Sequence, residues 1–555
     1  KKGYNMISRT IPNWRAMCFL MATAALTAHG ASAEGAVESP TLYNGITSPE
    51  SWPPPDRPLS REPMAVPYLE VPPAVIPIDV GRQLFVDDFL IEETSLRRVL
   101  HRADYYPHNP ILIPDKPWEM ETASAGHEAI SAMPFSDGVW FDPQDNLFKM
   151  WYMGGYVKST CYAVSRDGIA WEKPELDVVP GTNIVQAQER DSSTVWLDLN
   201  ESNPQRRFKL FVYLRPSQRY LTIYFSPDGI HWTDSGVQTG TTGDRSTVFF
   251  NPFRNVWVYG IRAYEQTSIG RYRRYWEHED VLAGARWEEG QPTFWVGADT
   301  QDAPREDIGT PCELYNLDAV AYESVLLGLF DIWRGQPEDR AKPNELCVGF
   351  SRDGFHWSRP SHDPFIPVSE TVGEWNWANV QSAGGCCLVV GDQLYFYVSG
   401  RKGAPGSSAS GVCSTGLATL RRDGFASMQA GAEPGTLTTR PLKFSGKYLF
   451  VNAAVTGGDL RVEVLGEDGT SIAPYTVDSC LPVSVDSACE RVLWKEAENL
   501  APLVGQPVRF RFHLRDGALF SFWVSPSPSG ASNGYVAAGG PGFSGPTDTV
   551  GKRND

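Results

Sequence analysis

One phrase, Ser-x-Asp-Gly-x-x-Trp, constrains the fold of this chain more than any other feature. It occurs at Ser165-Arg166-Asp167-Gly168-Ile169-Ala170-Trp171, at Ser226-Pro227-Asp228-Gly229-Ile230-His231-Trp232 and at Ser351-Arg352-Asp353-Gly354-Phe355-His356-Trp357, with a shorter copy at Arg421-Arg422-Asp423-Gly424-Phe425. Each Asp-Gly follows an apolar run and precedes an aromatic, the pattern of a tight turn between two strands, because Gly accepts positive φ and Asp bonds the turn backbone. A primed hairpin is the turn this predicts. The copies start 61, 125 and 70 residues apart. The double gap implies an eroded copy ending at Trp287, so the chain contains five units of about sixty residues, a propeller-blade period.

Each unit repeats one grammar, clearest in the first: an inner strand at Val139-Trp140-Phe141, a turn, a strand over 147–153, a strand over 160–165, the Asp-Gly turn and a last strand over 169–171. The fold class expected is therefore all-β: a five-bladed β-propeller over 78–435, in which the early run Leu84–Ile91 completes the last blade. After Gly435 the phrase disappears and strands alternate polar and apolar residues, as in Val508–Leu514, which predicts a β-sandwich over 436–526. The Pro-rich segment 34–77 reads as an extended tether, and the Gly/Ser/Pro-rich 527–555 as a disordered tail. The tryptophans read as packing between blades rather than as sugar platforms.

Residues 1–33 have the pattern of a signal peptide: Arg9 and Arg15, an apolar stretch over 16–28, then Ala31-Ser32-Ala33, with translation starting at Met6. A secreted or periplasmic protein is expected. The net charge of −17 repels phosphate backbones and anionic lipid, which argues against nucleic acid and membrane surfaces as partners and leaves carbohydrate open. Eight cysteines follow the leader, and Cys480 with Cys489 is the pair expected to bridge. No Cys-x-x-Cys pair or calcium-loop spacing is present, so no cofactor or metal is expected, with a structural Ca²⁺ in the funnel the one alternative left open.

A five-bladed propeller followed by a sandwich resembles the clan of glycoside hydrolase family 32, the invertases and fructan hydrolases. The blade phrase is similar to theirs and to the Asp-box of sialidases. Arg190-Asp191-Ser192-Ser193-Thr194-Val195-Trp196 resembles the family's Arg-Asp-Pro segment, with Ser192 in place of Pro, and the resemblance implies that Asp191 stabilises the transition state. Cys312-Glu313 and Tyr315-Asn316-Leu317-Asp318 stand before an inner strand, as the family's Glu-Cys segment does. Asp137-Gly138 lies where the nucleophile segment would be.

In a propeller the residues that begin each inner strand converge at one central funnel. Those positions hold Ser136 and Asp137, Arg190 to Ser192, Asp244 to Ser246, Asn316 and Asp318, and Asn376, Asn379 and Gln381. Glycoside chemistry asks for carboxylates with amides beside them. Asp191, Asp244 and Asp318 are thus the expected catalytic residues, and Arg190, Arg245, Asn316, Asn376 and Asn379 the substrate contacts. His127 and Glu128 read as a solvated loop. The expected function is an exported glycoside hydrolase acting on an oligo- or polysaccharide. The alternative is a carbohydrate-binding propeller without catalysis, because Asp and Asn also cap turns.

Overall fold

The computed structural model describes residues 40–122, 129–215 and 219–552. The leader and the pair His127 and Glu128 lie outside them. The chain is a five-bladed propeller joined to a β-sandwich. Blade one is built from Ala129–Asp142, Leu147–Gly154 and Ser159–Ser165, with Trp171–Glu172 and Ile184–Gln186 outside. Blade two runs Arg190–Leu197, Phe208–Leu214, Thr222–Ser226, Thr233–Gln238, and blade three Thr247–Asn251, Val256–Glu265, Gly270–His278, Thr293–Gly297. Blade four has Glu313–Glu323, Val325–Trp333 and Asn344–Ser351, edged by bridges at Ser358 and Ile366. Blade five has a split inner strand, Asn379–Ser382 and Leu388–Val390, then Gln393–Arg401 and Gly411–Arg421.

The ring closes with Asp104–Tyr105, which adds to the outside of Gly411–Arg421, and with the parallel pairing of Ala129–Ser131 on Gly411–Cys413. The run expected to close it does something else. Gln83–Leu84 and Ile91–Thr94 pair with Gly517–Ser525 and Gly435–Thr439 of the sandwich, because Phe85, Phe89, Leu90 and Ile91 are buried in that domain's core. The sandwich therefore draws on residues 83–100 and begins at Ala426–Ala430, before residue 436. Its alternation is plain in Arg509–Arg515, where Phe510, Phe512 and Leu514 point inward.

The repeated phrase is a turn held by side chains, not a primed hairpin. In its three full copies Asp Oδ1 accepts the backbone N–H groups of the second and third residues after it, and the Ser Oγ accepts the Gly N–H; around Asp353 these bonds are 2.8 to 3.0 Å. Among these turns only the glycines have positive φ, +76°, +81° and +93°. In the eroded third unit a short helix, Val281–Gly284, capped by Asp280, replaces the phrase.

Two segments read as loose are packed. The Pro-rich segment donates Tyr43 Oη to the Ser324 carbonyl and Asn44 Nδ2 to that of Arg352, and places Trp52 under the Arg254 guanidinium. It then pairs Ile76–Pro77 in parallel with Leu442–Lys443. The tail expected to be disordered crosses the far end of the channel: Tyr535–Val536 pairs with the end of blade four's inner strand, and Val389 N–H donates to Gly539 O at 2.9 Å. Backbone pairing, invisible in composition, holds it. The expected Cys480–Cys489 bridge is also absent. Cys480 lies in the sandwich core and accepts the Val462 N–H, whereas Cys489 packs in a separate cluster with Phe450 and Trp523. No helix among the described residues is long and apolar enough to cross a membrane.

Candidate functional site

Three of the five inner strands lose register where they begin: between Met133 and Gly138, between Arg190 and Ser193, and between Leu314 and Asn316. Such bulges re-aim side chains and are frequent beside active sites. Phe135 and Ser136, in the first of these bulges, and Arg245, at the head of blade three's inner strand, have φ of 43°, 67° and 60°, a conformation that costs energy in residues other than Gly and is held by its surroundings. Ser399 Oγ fixes the Phe135 N–H at 2.8 Å, and Ser192 Oγ fixes that of Arg245 at 2.7 Å.

The result is a buried polar cluster on the propeller axis. Arg190 grips Asp137 with both terminal nitrogens, and Ser193 Oγ donates to Asp137 Oδ1 at 2.6 Å. Asp318 Oδ2 accepts three donors: Ser136 Oγ at 3.1 Å, Asn316 Nδ2 at 2.9 Å and Ser382 Oγ at 2.6 Å. Asp331, on the second strand of blade four, meets Ser382 Oγ at 3.5 Å and Arg245 Nη2 at 3.3 Å. Burial pushes three of these carboxyls up: Asp137 to about 6, against the opposing Arg190 charge; Asp331 to about 7, against Arg245; and Asp318 above its ordinary value.

Nearer the mouth, Asp191 is ion-paired with Arg215, and Asp244, 37 % exposed at its side chain, lies 3.6 Å from Arg262. Tyr315 Oη accepts Lys342 Nζ at 2.7 Å. Burial alone would raise the Tyr315 hydroxyl, but Lys342, Arg401 and Arg245 outweigh it and hold it below its ordinary value.

Of the residues expected from the sequence, Asp318, Asn316, Arg190 and Arg245 meet in the buried cluster, while Asp191 and Asp244 stand nearer the mouth. Asn379 supports the rim, donating to the Lys342 carbonyl at 2.8 Å and accepting from Gln381. Asn376 is elsewhere: its side chain lies beside the hydroxyl of Tyr105, on the outer strand of blade five, which donates to the Pro367 carbonyl at 2.6 Å. Asp331, Tyr315, Lys342 and Arg401 were not anticipated. Asp331 had a signal, as the one charge in the apolar strand Val325–Trp333.

Among the described residues one group has metal-ligand spacing, Asp299, Asp302 and His362, within 4.8 Å of one another. Arg359 pairs with Asp302 at 2.5 Å and with Asp299 at 3.7 Å, so one of the two carboxylate charges is already balanced.

No family model matches the sequence, and no curated protein matches it. Among solved structures the chain is similar to a glycoside hydrolase family 43 arabinoxylan arabinofuranohydrolase from Bacillus subtilis in complex with cellotetraose, at 10% identity over 71% of this chain and 96% of that chain, with a TM-score of 0.33. It is similar to a thermostable family-43 glycoside hydrolase at 12% identity over 56% and 96%, TM-score 0.38. It is also similar to an N-acetylgalactosamine deacetylase from F. plautii in complex with blood group B trisaccharide, at 13% identity over 62% and 96%, TM-score 0.35.

Proposed function

We propose that this chain is a glycoside hydrolase acting on an oligo- or polysaccharide at the head of the propeller funnel. One observation carries the reading: the strand heads bring together carboxyls that burial drives toward the protonated form, Asp318 and Asp331, and carboxylates held by arginines at the mouth, Asp191 and Asp244. A carboxyl that keeps its proton, close to further carboxyl groups at one site, is what glycosidic cleavage requires.

In this reading Asp191 stabilises the positive charge that develops at the anomeric centre, the role suggested by the Arg190-Asp191 likeness to family 32. Asp244, the most accessible of the three, is nucleophile or base. Asp318 is the acid. Its three donors converge on Oδ2, which leaves Oδ1 to carry the proton to the leaving oxygen, and Asp331 behind it resists ionisation of the pair. The chemistry uses side chains alone, with no metal or cofactor. The basic and apolar leader ending in Ala31-Ser32-Ala33 supports a place outside the cytoplasm.

The test is a screen of chromogenic glycosides and polysaccharides, followed by Asp191→Asn, Asp244→Asn and Asp318→Asn on the substrate found. Asn keeps size and removes charge, so each variant should lose at least about a hundredfold in kcat with its melting temperature retained. Wild-type turnover in all three variants contradicts the assignment. Binding of carbohydrate with no hydrolysis by the unmodified chain would make this a binding propeller.

A further inference from the structure

The funnel head holds more cations than its carboxylates pair. Arg190, Arg215 and Arg245 each have a carboxylate within 4 Å, namely Asp137, Asp191 and Asp331. Arg401, at the end of blade five's second strand, is 1 % exposed, and among the described residues it has no carboxylate partner. Its Nη1 donates to Tyr156 Oη at 3.1 Å and to Ser410 Oγ at 3.0 Å, while its Nε and Nη2 are buried with no partner. Lys342 is in a similar position: its ammonium meets the Tyr315 hydroxyl and, among the described residues, no acid.

A buried guanidinium with open donors is costly, and its charge calls for an anion. Here the anion's place is shaped. Phe135 lies beneath both Arg245, at 4.1 Å, and Arg401, at 5.5 Å, and Tyr315 lies beneath Lys342, at 4.6 Å, and Arg245, at 5.5 Å. Arg271, paired with Glu313, also lies over Tyr315 at 5.4 Å, so the two rings carry four cations, three of which, Lys342, Arg401 and Arg245, act on the one phenolic oxygen. In a chain of net charge −17 this local excess of positive charge does not follow from composition.

We infer that Arg401, Lys342 and Tyr315 form a subsite for an anionic group on the sugar, a uronate carboxylate or a sulfate ester. A guanidinium presents paired N–H groups that match either oxyanion, and the ammonium and phenol complete the ring of donors. The inference rests on the proposal that the funnel receives carbohydrate, and it narrows the substrate from any saccharide to an acidic one.

Calorimetric titration of the full chain tests it, with oligogalacturonate, a sulfated oligosaccharide and a neutral oligosaccharide of equal length as probes. One acidic probe should bind at least tenfold more tightly than the neutral one, and more weakly as salt is raised. The acidic probe that binds identifies the group. Lys342→Met and Arg401→Met should each remove at least tenfold of that affinity and shrink the ratio of acidic to neutral binding by a similar factor. Lys342 is only partly buried, so its variant reports even if removing Arg401 prevents folding. Equal or tighter binding of the neutral probe, or no binding of either acidic one, overturns the subsite. Hydrolysis is scored separately: an acidic probe bound and left intact keeps the subsite and sinks the hydrolase reading, and a neutral probe cleaved without acidic preference does the reverse.

Discussion

Gly354 shows what a single residue contributes to the ring. Its φ is +93°, and a Cβ there would stand 2.4 Å from Asn251 Nδ2 of the preceding blade. Gly354→Val should therefore cost more than about 1 kcal/mol in a urea titration, from backbone strain together with the clash; an unchanged midpoint would contradict this. The Asp-Gly signal was legible in the sequence because the turn is local. The lone charge of Asp331 in an apolar strand was visible too, but its place in the site was not, because its partners Arg245 and Ser382 are distant in sequence and only the closed ring brings them near. Its burial has a measurable sign. Asp137 and Asp331 keep their protons in the folded chain up to about pH 6 and 7, whereas the unfolded carboxyls release theirs near the ordinary value of 3.8. The folded state thus binds more protons across that window, and the stability linked to these groups falls as pH rises from about 4 to 7, then levels. Asp331→Asn should make the decline of melting temperature over that range shallower than in the unmodified chain; an identical slope would show that Asp331 ionises normally.

Between elements, the repeated phrase fastens one blade to the next. Tyr397 of blade five donates to the Gly168 carbonyl of blade one, Trp151 of blade one to that of Gly229 in blade two, and Trp295 of blade three to that of Phe355 in blade four, each at 2.7 Å. The tryptophans are structural here, as their spacing suggested: Trp295 packs on Trp357 at 5.9 Å, and Trp151 on Phe208 at 5.5 Å. Trp151→Phe keeps the ring but leaves the Gly229 carbonyl without this donor, which should cost about 1 to 3 kcal/mol. The tail makes the opposite case. Its composition reads as disorder, yet Asp548 is buried against Arg422 at 2.7 Å, in a cluster with Glu323, Arg82 and Asp423 where propeller meets sandwich. Asp548→Ala breaks a buried pair and should destabilise by about 3 kcal/mol in denaturant. A tail that contributed nothing would show no change. Segments tied by backbone pairing and by single long-range ion pairs carry no periodicity, which is why composition misjudged both ends of the described chain.

For the whole molecule, the ring of five blades closed by Asp104–Tyr105 has an axis with unlike ends: the tail covers one, and the carboxyls and arginines crowd the other. The blade count was legible because the phrase recurs at a fixed period. The convergence of Asp318, Asn316, Arg190 and Arg245 followed from that count, whereas Asn376 fell away because its loop turns outward to Tyr105. The central claim is that the crowded end is where sugar binds. A crystal structure of the Asp318→Asn variant soaked with the tightest-binding oligosaccharide tests it most directly. The account predicts a sugar ring at the funnel head, within hydrogen-bonding distance of Asp191, Asp244 and the Tyr315 hydroxyl. A sugar seated instead in the outer pocket lined by Arg57, Glu62 and His362, with the funnel head empty, would contradict it.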